Sequence, residues 1–181
     1  MRIAIDPSRV AETFSKFSDN LSFQESAQLF ARGLPIAEML QAFAMNENVL
    51  RAFAGFDGIY PHGKLERGIL EKVILRVSQL HECQFCVNSH LDIMQSVGIA
   101  SDLAPAARHT ERERLAIEYA ELMTRDANRI PHALFEFLRA SFSDPEIVEL
   151  TFLTSFITML NRFNNALQVR YRGEFKGLVC A

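Results

Sequence analysis

Apolar residues recur along much of this chain at the spacing of one helix face, separated by short polar stretches. Over 69–80 they gather on one broad side of a helical wheel, at Ile69, Leu70, Val73, Ile74, Val77 and Leu80. The β-branched residues there would also suit a strand, but Lys72, Arg76 and Gln79 fall elsewhere on the wheel, which favours a helix. The segment 150–160 is apolar nearly all round, which predicts burial on more than one side.

The residues at the ends of these stretches are also typical of helices. Capping boxes, in which two side chains satisfy free backbone N–H groups at a helix start, are predicted for Ser22 with Glu25, Thr110 with Glu113 and Ser143 with Glu146. The third opens a long helix that we expect to end near Ala166. Short loops are predicted over 55–64, 98–101 and 125–131. The pattern therefore predicts one all-α domain over 1–181, with a core at about 34–169, an N-terminal helical extension and a short C-terminal tail.

Composition narrows the classes of function. Hydrophobic residues make up 49% of the chain, which argues against disorder, and a formal net charge of −3 favours neither nucleic acid nor an anionic membrane as partner. The N-terminal text has no basic region followed by a long apolar run, so we expect no signal peptide. No stretch is uniformly apolar over the roughly 20 residues that a membrane helix needs. A cytoplasmic protein is the expectation.

Three cysteines carry the candidate chemistry: Cys83, Cys86 and the penultimate Cys180. Three cysteines are few and odd in number, which does not suggest a disulfide framework. The close spacing of Cys83 and Cys86 suggests a redox or metal site instead. On a helix, Cys83, Cys86 and His90 would lie within about 60° of one another, on the core-facing side. Thiolate formation is favoured near a helix N-terminus or beside an imidazole, and both conditions would apply here.

Less specific explanations of the same residues remain open. The cysteines could be buried structural residues, since a free cysteine packs like a small hydrophobe. They could hold zinc with His90 and one distant ligand, although no second paired motif is visible. His90 alone would more often be a satisfied core histidine, and Glu71 alone would more often be a surface carboxylate.

Together these residues carry a resemblance. Glu71, followed after eleven residues by Cys83-x-x-Cys86-x-x-x-His90, resembles the signature of the alkylhydroperoxidase D branch of the carboxymuconolactone decarboxylase-like family. The segments from Phe142 to Thr151 and from Asn161 to Leu167 are also similar to members of that family. The resemblance covers about 34–169. It implies an all-α fold, assembly into trimers, hexamers or other higher oligomers, and a thiol-dependent peroxidase without a bound cofactor.

The resemblance also implies a role for each residue. Cys86 attacks the peroxide and becomes a sulfenic acid, and Cys83 resolves it as a disulfide. His90 takes the thiol proton, and Glu71 orients His90 or relays the proton. A lipoyl-type or other dithiol reductant restores the pair. Phe85 occupies the position at which the best-known branch has a second histidine. Because a phenylalanine cannot exchange protons, we expect fewer groups in the proton relay and a modest turnover.

Two other functions compete with the peroxidase. A general disulfide oxidoreductase without a preference for peroxide would share the cysteines but need an open surface around Cys83. A zinc-stabilised helical interaction protein would use the same residues as metal ligands. Independently of these, the 15 phenylalanines and the apolar segment 150–160 predict a homo-oligomer, because one domain of this size has a limited interior.

Overall fold

The structure, a computed structural model, describes residues 1–34, 36–56, 59–101 and 109–176, and for residues 21, 22 and 25 the backbone alone. Within these ranges the chain forms nine α-helices and no strand, which confirms the predicted all-α fold. In chain order they are α1 (Pro7–Ser15), α2 (Leu21–Ala31), α3 (Glu38–Ala44), α4 (Glu47–Ala54), α5 (Arg67–Leu80), α6 (Gln84–Ser96), α7 (Glu111–Asp126), α8 (His132–Ser141) and α9 (Asp144–Leu167).

Helix α5 lies at the centre of the fold, packed against α6, α7 and α9. Its apolar face predicted a helix over 69–80, and the helix observed is only slightly longer. Burial extends beyond that face to Lys72, which the wheel placed elsewhere, because its ammonium lies 2.6 Å from the Glu113 carboxylate of α7. An ion pair thus lets a charged residue enter the packed side of the helix.

Two of the three predicted capping boxes form. Thr110 Oγ1 accepts the Glu113 N–H at 3.2 Å, and Glu113 Oε2 accepts the Thr110 N–H at 2.9 Å. Ser143 donates both its N–H and its hydroxyl to Glu146 Oε2, each at 2.7 Å, and opens the long helix α9. The side chains of Ser22 and Glu25 lie outside the described residues, as does Cys180.

The segment before α5 is tied to α9 by a buried carboxylate. Glu149 accepts the Lys64 N–H at 2.8 Å and the Leu65 N–H at 3.0 Å. Gly63 lies so close that a Cβ there would sit 2.2 Å from Glu149 Oε1 and 2.5 Å from the Ile59 carbonyl oxygen. This close approach fixes the path of the chain between Tyr60 and α5.

Helix α9 does not bury every side within the chain. It packs against α5, α6, α7 and α8, while Val148, Phe152 and Met159 remain exposed, at 68%, 45% and 46%. Burial of 150–160 on more than one side therefore stays a prediction that depends on a second copy. Among the described residues, no helix is both long and apolar enough to cross a membrane.

Candidate active site

The two cysteines lie where α5 turns into α6. Glu82, in the left-handed conformation with φ of +53°, reverses the chain between the helices. Cys83 is the N-cap of α6, and its Sγ accepts the Cys86 N–H at 3.4 Å. Both side chains are free thiols and buried, Cys83 at 0% and Cys86 at 6% exposure. The predicted position of the pair at a helix start is therefore what the structure has.

The two thiols differ in acidity. The pKa of Cys83 falls to about 7, because the Cys86 thiol and backbone N–H donate to its sulfur and the Asn161 and Asn164 amides add to this effect, against the opposing effect of burial. The pKa of Cys86 is raised by its hydrogen bond to Cys83 and by burial. The resemblance implied that Cys86, one turn before His90, is the attacking thiol. The lower pKa makes Cys83, the N-cap residue of α6, the thiol that ionises first.

Glu71 and His90 form a second unit. Glu71 Oε2 lies 2.7 Å from His90 Nδ1, joining the middle of α5 to the middle of α6. Glu71 is fully buried, so the alternative of a surface carboxylate is wrong. Burial by itself would raise the pKa of Glu71, but the His90 charge and hydrogen bond, with the Tyr60 hydroxyl and the Arg67 charge, hold it below its usual range. An ionised Glu71 makes Nδ1 the N–H donor of this contact and leaves Nε2 on the other side of the ring.

Sequence reasoning missed two partners of Glu71. The Tyr60 hydroxyl donates to Glu71 Oε1 at 2.7 Å, and Arg67 Nε donates to the same oxygen at 2.6 Å. The Arg67 guanidinium also lies over the Tyr60 ring, with Cζ 4.6 Å from the centroid. The spacing of Arg67 to Glu71, one helical turn, was a signal for an ion pair. Tyr60 lies in the predicted loop, and no local pattern marked it.

Two asparagines of α9 complete the site and were also missed. Asn164 Nδ2 donates to Cys86 Sγ at 3.3 Å, and Asn161 Nδ2 donates to the Ser78 hydroxyl at 3.1 Å. Both asparagines are buried. Two amides one turn apart on the apolar side of a long helix were the available signal, since a buried polar side chain needs a partner.

A cavity of about 360 Å³ opens beside these groups. Cys86, rather than the fully buried Cys83, lines it, together with His90, Tyr60, Asn161 and Asn164. The rest of the wall is mostly apolar, from Phe23, Met39, Leu40, Phe53, Phe56, Ile74, Phe85, Ile93, Ile157, Leu160 and Phe175. A small apolar molecule in this cavity would meet the Cys86 sulfur and the imidazole together.

The segment after α9 covers the outer side of the pair. The Tyr171 ring packs edge-on against Phe85, with centroids 5.9 Å apart, and stacks on Phe175. The Tyr171 hydroxyl donates to Asp92 Oδ2 at 2.6 Å and accepts the Phe175 N–H at 3.1 Å. Phe85 thus has a packing partner here, in the position where the best-known branch has a histidine.

The zinc alternative lacks a ligand set in the described part of the chain. Within that part, no three His, Cys, Asp or Glu side chains gather where they could hold a metal ion.

Two proteins of known sequence are similar to about half of this chain. No family model matches the chain. Over 108 residues it is 30% identical to the uncharacterized protein YnjA of Escherichia coli, a match that covers 56% of this chain and 59% of that relative's own length. Over 111 residues it is 23% identical to the uncharacterized protein YdfG of Bacillus subtilis, covering 57% of this chain and 76% of the relative.

Two solved structures resemble nearly the whole chain, and a third resembles most of it. An uncharacterized peroxidase-related protein from Ralstonia eutropha, described as an alkylhydroperoxidase AhpD core, has a TM-score of 0.75 at 21% identity and covers 97% of this chain and 95% of its own. A similar protein from Silicibacter has a TM-score of 0.73 at 21% identity, with 98% and 95% covered. A protein of unknown function from Agrobacterium tumefaciens, with a proposed role in antioxidant defence as AhpD, has a TM-score of 0.64 at 25% identity, with 70% and 92% covered.

The chain therefore has the all-α fold of the AhpD-like proteins. These structures bear out, at the level of the fold, the predicted resemblance to the alkylhydroperoxidase D-like branch of the carboxymuconolactone decarboxylase-like family.

Proposed function

We propose that this protein is a thiol-dependent peroxidase that reduces hydroperoxides through a disulfide cycle of Cys83 and Cys86. The observation that carries the proposal is the position of Cys86. Its sulfur lines an apolar cavity, next to a thiol with a pKa of about 7 and an imidazole held by a buried carboxylate. Clustered groups of this kind are typical of active sites.

Attack on the peroxide starts from one thiolate and one thiol. Cys83 has the lower pKa and supplies the thiolate, but a peroxide in the cavity meets Cys86. As Cys86 attacks, its proton moves to the Cys83 thiolate through the hydrogen bond between the two sulfurs. The Cys86 sulfur bonds to the terminal oxygen of R–O–OH, the O–O bond breaks, and the products are Cys86–SOH and an alkoxide.

The alkoxide takes one proton from solvent water and leaves as R–OH. The Cys83 thiol condenses with Cys86–SOH, forming the disulfide and releasing water. Two electrons pass from the thiol pair to the peroxide. An external dithiol of lipoyl type reduces the disulfide by two thiol–disulfide exchanges and becomes a disulfide itself. A cytoplasmic setting suits this cycle, because thiols are kept reduced there.

His90 and Glu71 serve the proton steps. With Nδ1–H held by ionised Glu71, the imidazole presents Nε2 on the other side of the ring, and His90 lines the cavity that Cys86 lines. We infer that Nε2 shuttles the proton that the alkoxide needs. Arg67 and Tyr60 keep Glu71 ionised and in place, so they are positioning residues. Phe85 cannot exchange protons, so we expect modest turnover.

A general disulfide oxidoreductase is the weaker candidate. Exchange with a protein disulfide requires a sulfur that a large partner can reach, and the two sulfur-bearing side chains are 0% and 6% exposed. A small hydroperoxide needs only the cavity. Access therefore favours peroxide over a protein substrate.

A thiol count tests the proposal. In a Cys180→Ser variant the pair are the only cysteines, so the assay reports on them alone. One equivalent of cumene hydroperoxide should remove two thiols per chain, form one equivalent of cumyl alcohol and leave a Cys83–Cys86 disulfide on peptide mapping. Dihydrolipoamide should then restore both thiols. A pair that stays reduced under excess peroxide would rule the peroxidase out.

The order of attack is tested by single variants. Cys86→Ser should lose peroxide reactivity. Cys83→Ser should react once and stop as a sulfenic acid that dimedone traps. The reverse pattern would assign the attack to Cys83.

A further inference from the structure

Two amides in the cavity wall use their N–H groups in hydrogen bonds but leave their carbonyl oxygens without a donor. Asn161 and Asn164 lie one turn apart on α9 and are 0% and 1% exposed. Their N–H groups donate to Ser78 Oγ, Cys86 Sγ and Met39 Sδ. Their carbonyl oxygens are both buried and have no hydrogen-bond donor among the described residues.

Two unsatisfied acceptors side by side need an explanation. A buried carbonyl without a donor destabilises a fold, and native proteins hold few of them. Both residues line the cavity, so a molecule in the cavity can supply the missing donor. A hydroperoxide carries one O–H donor, on the terminal oxygen that the thiolate attacks.

We propose that Asn161 and Asn164 form the peroxide subsite: their carbonyl oxygens accept the O–H of the hydroperoxide while the Asn164 N–H holds the Cys86 sulfur. This assignment rests on the proposed peroxidase function. Asn164 would then contact both reacting partners, bringing the terminal peroxide oxygen to the sulfur. Asn161 is held by Ser78, and its carbonyl oxygen would contact the substrate.

The two halves of the proposal predict different changes. Loss of the Asn164 N–H removes a donor from the Cys86 thiolate and should slow its reaction with any electrophile. Loss of either carbonyl removes a contact that only a hydroperoxide makes. The ratio of the peroxide rate to the alkylation rate therefore separates substrate binding from thiol activation.

The test uses Asn161→Leu and Asn164→Leu, which remove the amides at nearly constant volume. Asn88→Leu is the matched control, because Asn88 lies on α6 and is exposed. All are made in the Cys83→Ser, Cys180→Ser background, so that Cys86 is the only cysteine. Alkylation by methyl iodide, which has no hydrogen-bond donor, is followed from pH 6 to about pH 11, and sulfenic acid formation with cumene hydroperoxide is followed at about pH 8, near an ordinary thiol pKa.

Asn164→Leu should move the alkylation midpoint up by about one pH unit, the size expected when a hydrogen bond to a charged group is lost. In both leucine variants the peroxide rate should fall about tenfold further than the alkylation rate at the same pH. Asn88→Leu should match the parent in both assays. Equal losses in the two rates would overturn the subsite, and an unchanged midpoint in Asn164→Leu would overturn the thiol contact.

Two further results are informative. If the parent alkylates but does not react with peroxide, the proposed function fails, and the subsite fails with it. The midpoint shift still reports separately on the Asn164 contact. If a leucine variant does not fold, as judged by circular dichroism, the alanine variant carries the same test, since it opens space into an existing cavity.

Discussion

The Glu71 carboxylate and the His90 imidazole, 19 positions apart in the chain, meet at 2.7 Å between Oε2 and Nδ1. The contact joins α5 to α6 inside the fold, where Glu71 has no exposure to solvent. A buried carboxylate in this position fixes the tautomer and the orientation of the ring.

The first prediction concerns this pair. His90→Ala should slow peroxide turnover about 100-fold, because a positioned acid–base group contributes at least that much. Glu71→Gln should slow turnover about tenfold, since it keeps the shape and removes the charge that orients the ring. Steady-state peroxide consumption measures both. If Glu71→Gln has no effect and His90→Ala abolishes activity, catalysis depends on Cys86 and His90 without a contribution from the Glu71 charge.

A second prediction concerns Arg67 and acid stability. Because the folded-state pKa of Glu71 is lowered, its carboxylate stabilises the fold above the unfolded pKa of about 4.3, and this contribution is lost as pH falls through the folded value. Arg67→Met leaves the charge of buried Glu71 without its ion-pair partner. We therefore expect the free energy of unfolding at pH 7 to fall by about 3 kcal/mol. Acid unfolding, followed by circular dichroism, should begin at higher pH than in the parent. Arg129→Met, at an exposed ion pair, is the control and should change neither quantity.

Gly63 gives a prediction about the chain path. Gly63→Ala places a Cβ against Glu149 and the Ile59 carbonyl, so the segment that carries Tyr60 must shift. We expect a loss of about 2 kcal/mol in the free energy of unfolding, measured by urea titration, and slower peroxide turnover. Gly55→Ala is the matched control, because its Cβ would meet only Ala52 O at an ordinary 3.6 Å. Equal stability in the two variants would contradict the close approach.

The cover formed by residues 169–176 gives another prediction. Tyr171→Phe keeps the ring against Phe85 but removes the hydrogen bond to Asp92. Hydrogen bonds to charged groups are strong, so local opening should become about tenfold more frequent. Hydrogen exchange over 169–176 should accelerate, and alkylation of the pair should accelerate with it. Unchanged alkylation would mean that reagents reach the sulfurs by the cavity alone.

The exposed face of α9 gives the last prediction. We propose that Val148, Phe152 and Met159 meet a second copy of the chain, since apolar side chains of this size are exposed in a row on one helix. Light scattering at micromolar concentration should give an oligomer mass, and Val148→Lys with Met159→Lys should reduce it. Exposed Phe137 of α8 provides the control, Phe137→Lys, which should leave the mass unchanged. A monomer mass for the parent would refute the proposal.

The sequence by itself determined the local features of this protein. Helix periodicity in α5, the capping boxes at Thr110 and Ser143, and the position of Cys83 and Cys86 at a helix start were all predictable. Each depends on residues a few positions apart, whose relative placement is set by the geometry of a single helix.

Tertiary packing decided which polar groups became part of the site. Glu71 is buried because Arg67, Tyr60 and His90 compensate it, and two of these three come from other segments of the chain. The lower pKa belongs to Cys83, because its sulfur receives the donors of the helix start, while Asn164 reaches Cys86 from α9. Burial and charge compensation depend on what packs across from a residue, and no spacing along the chain specifies that.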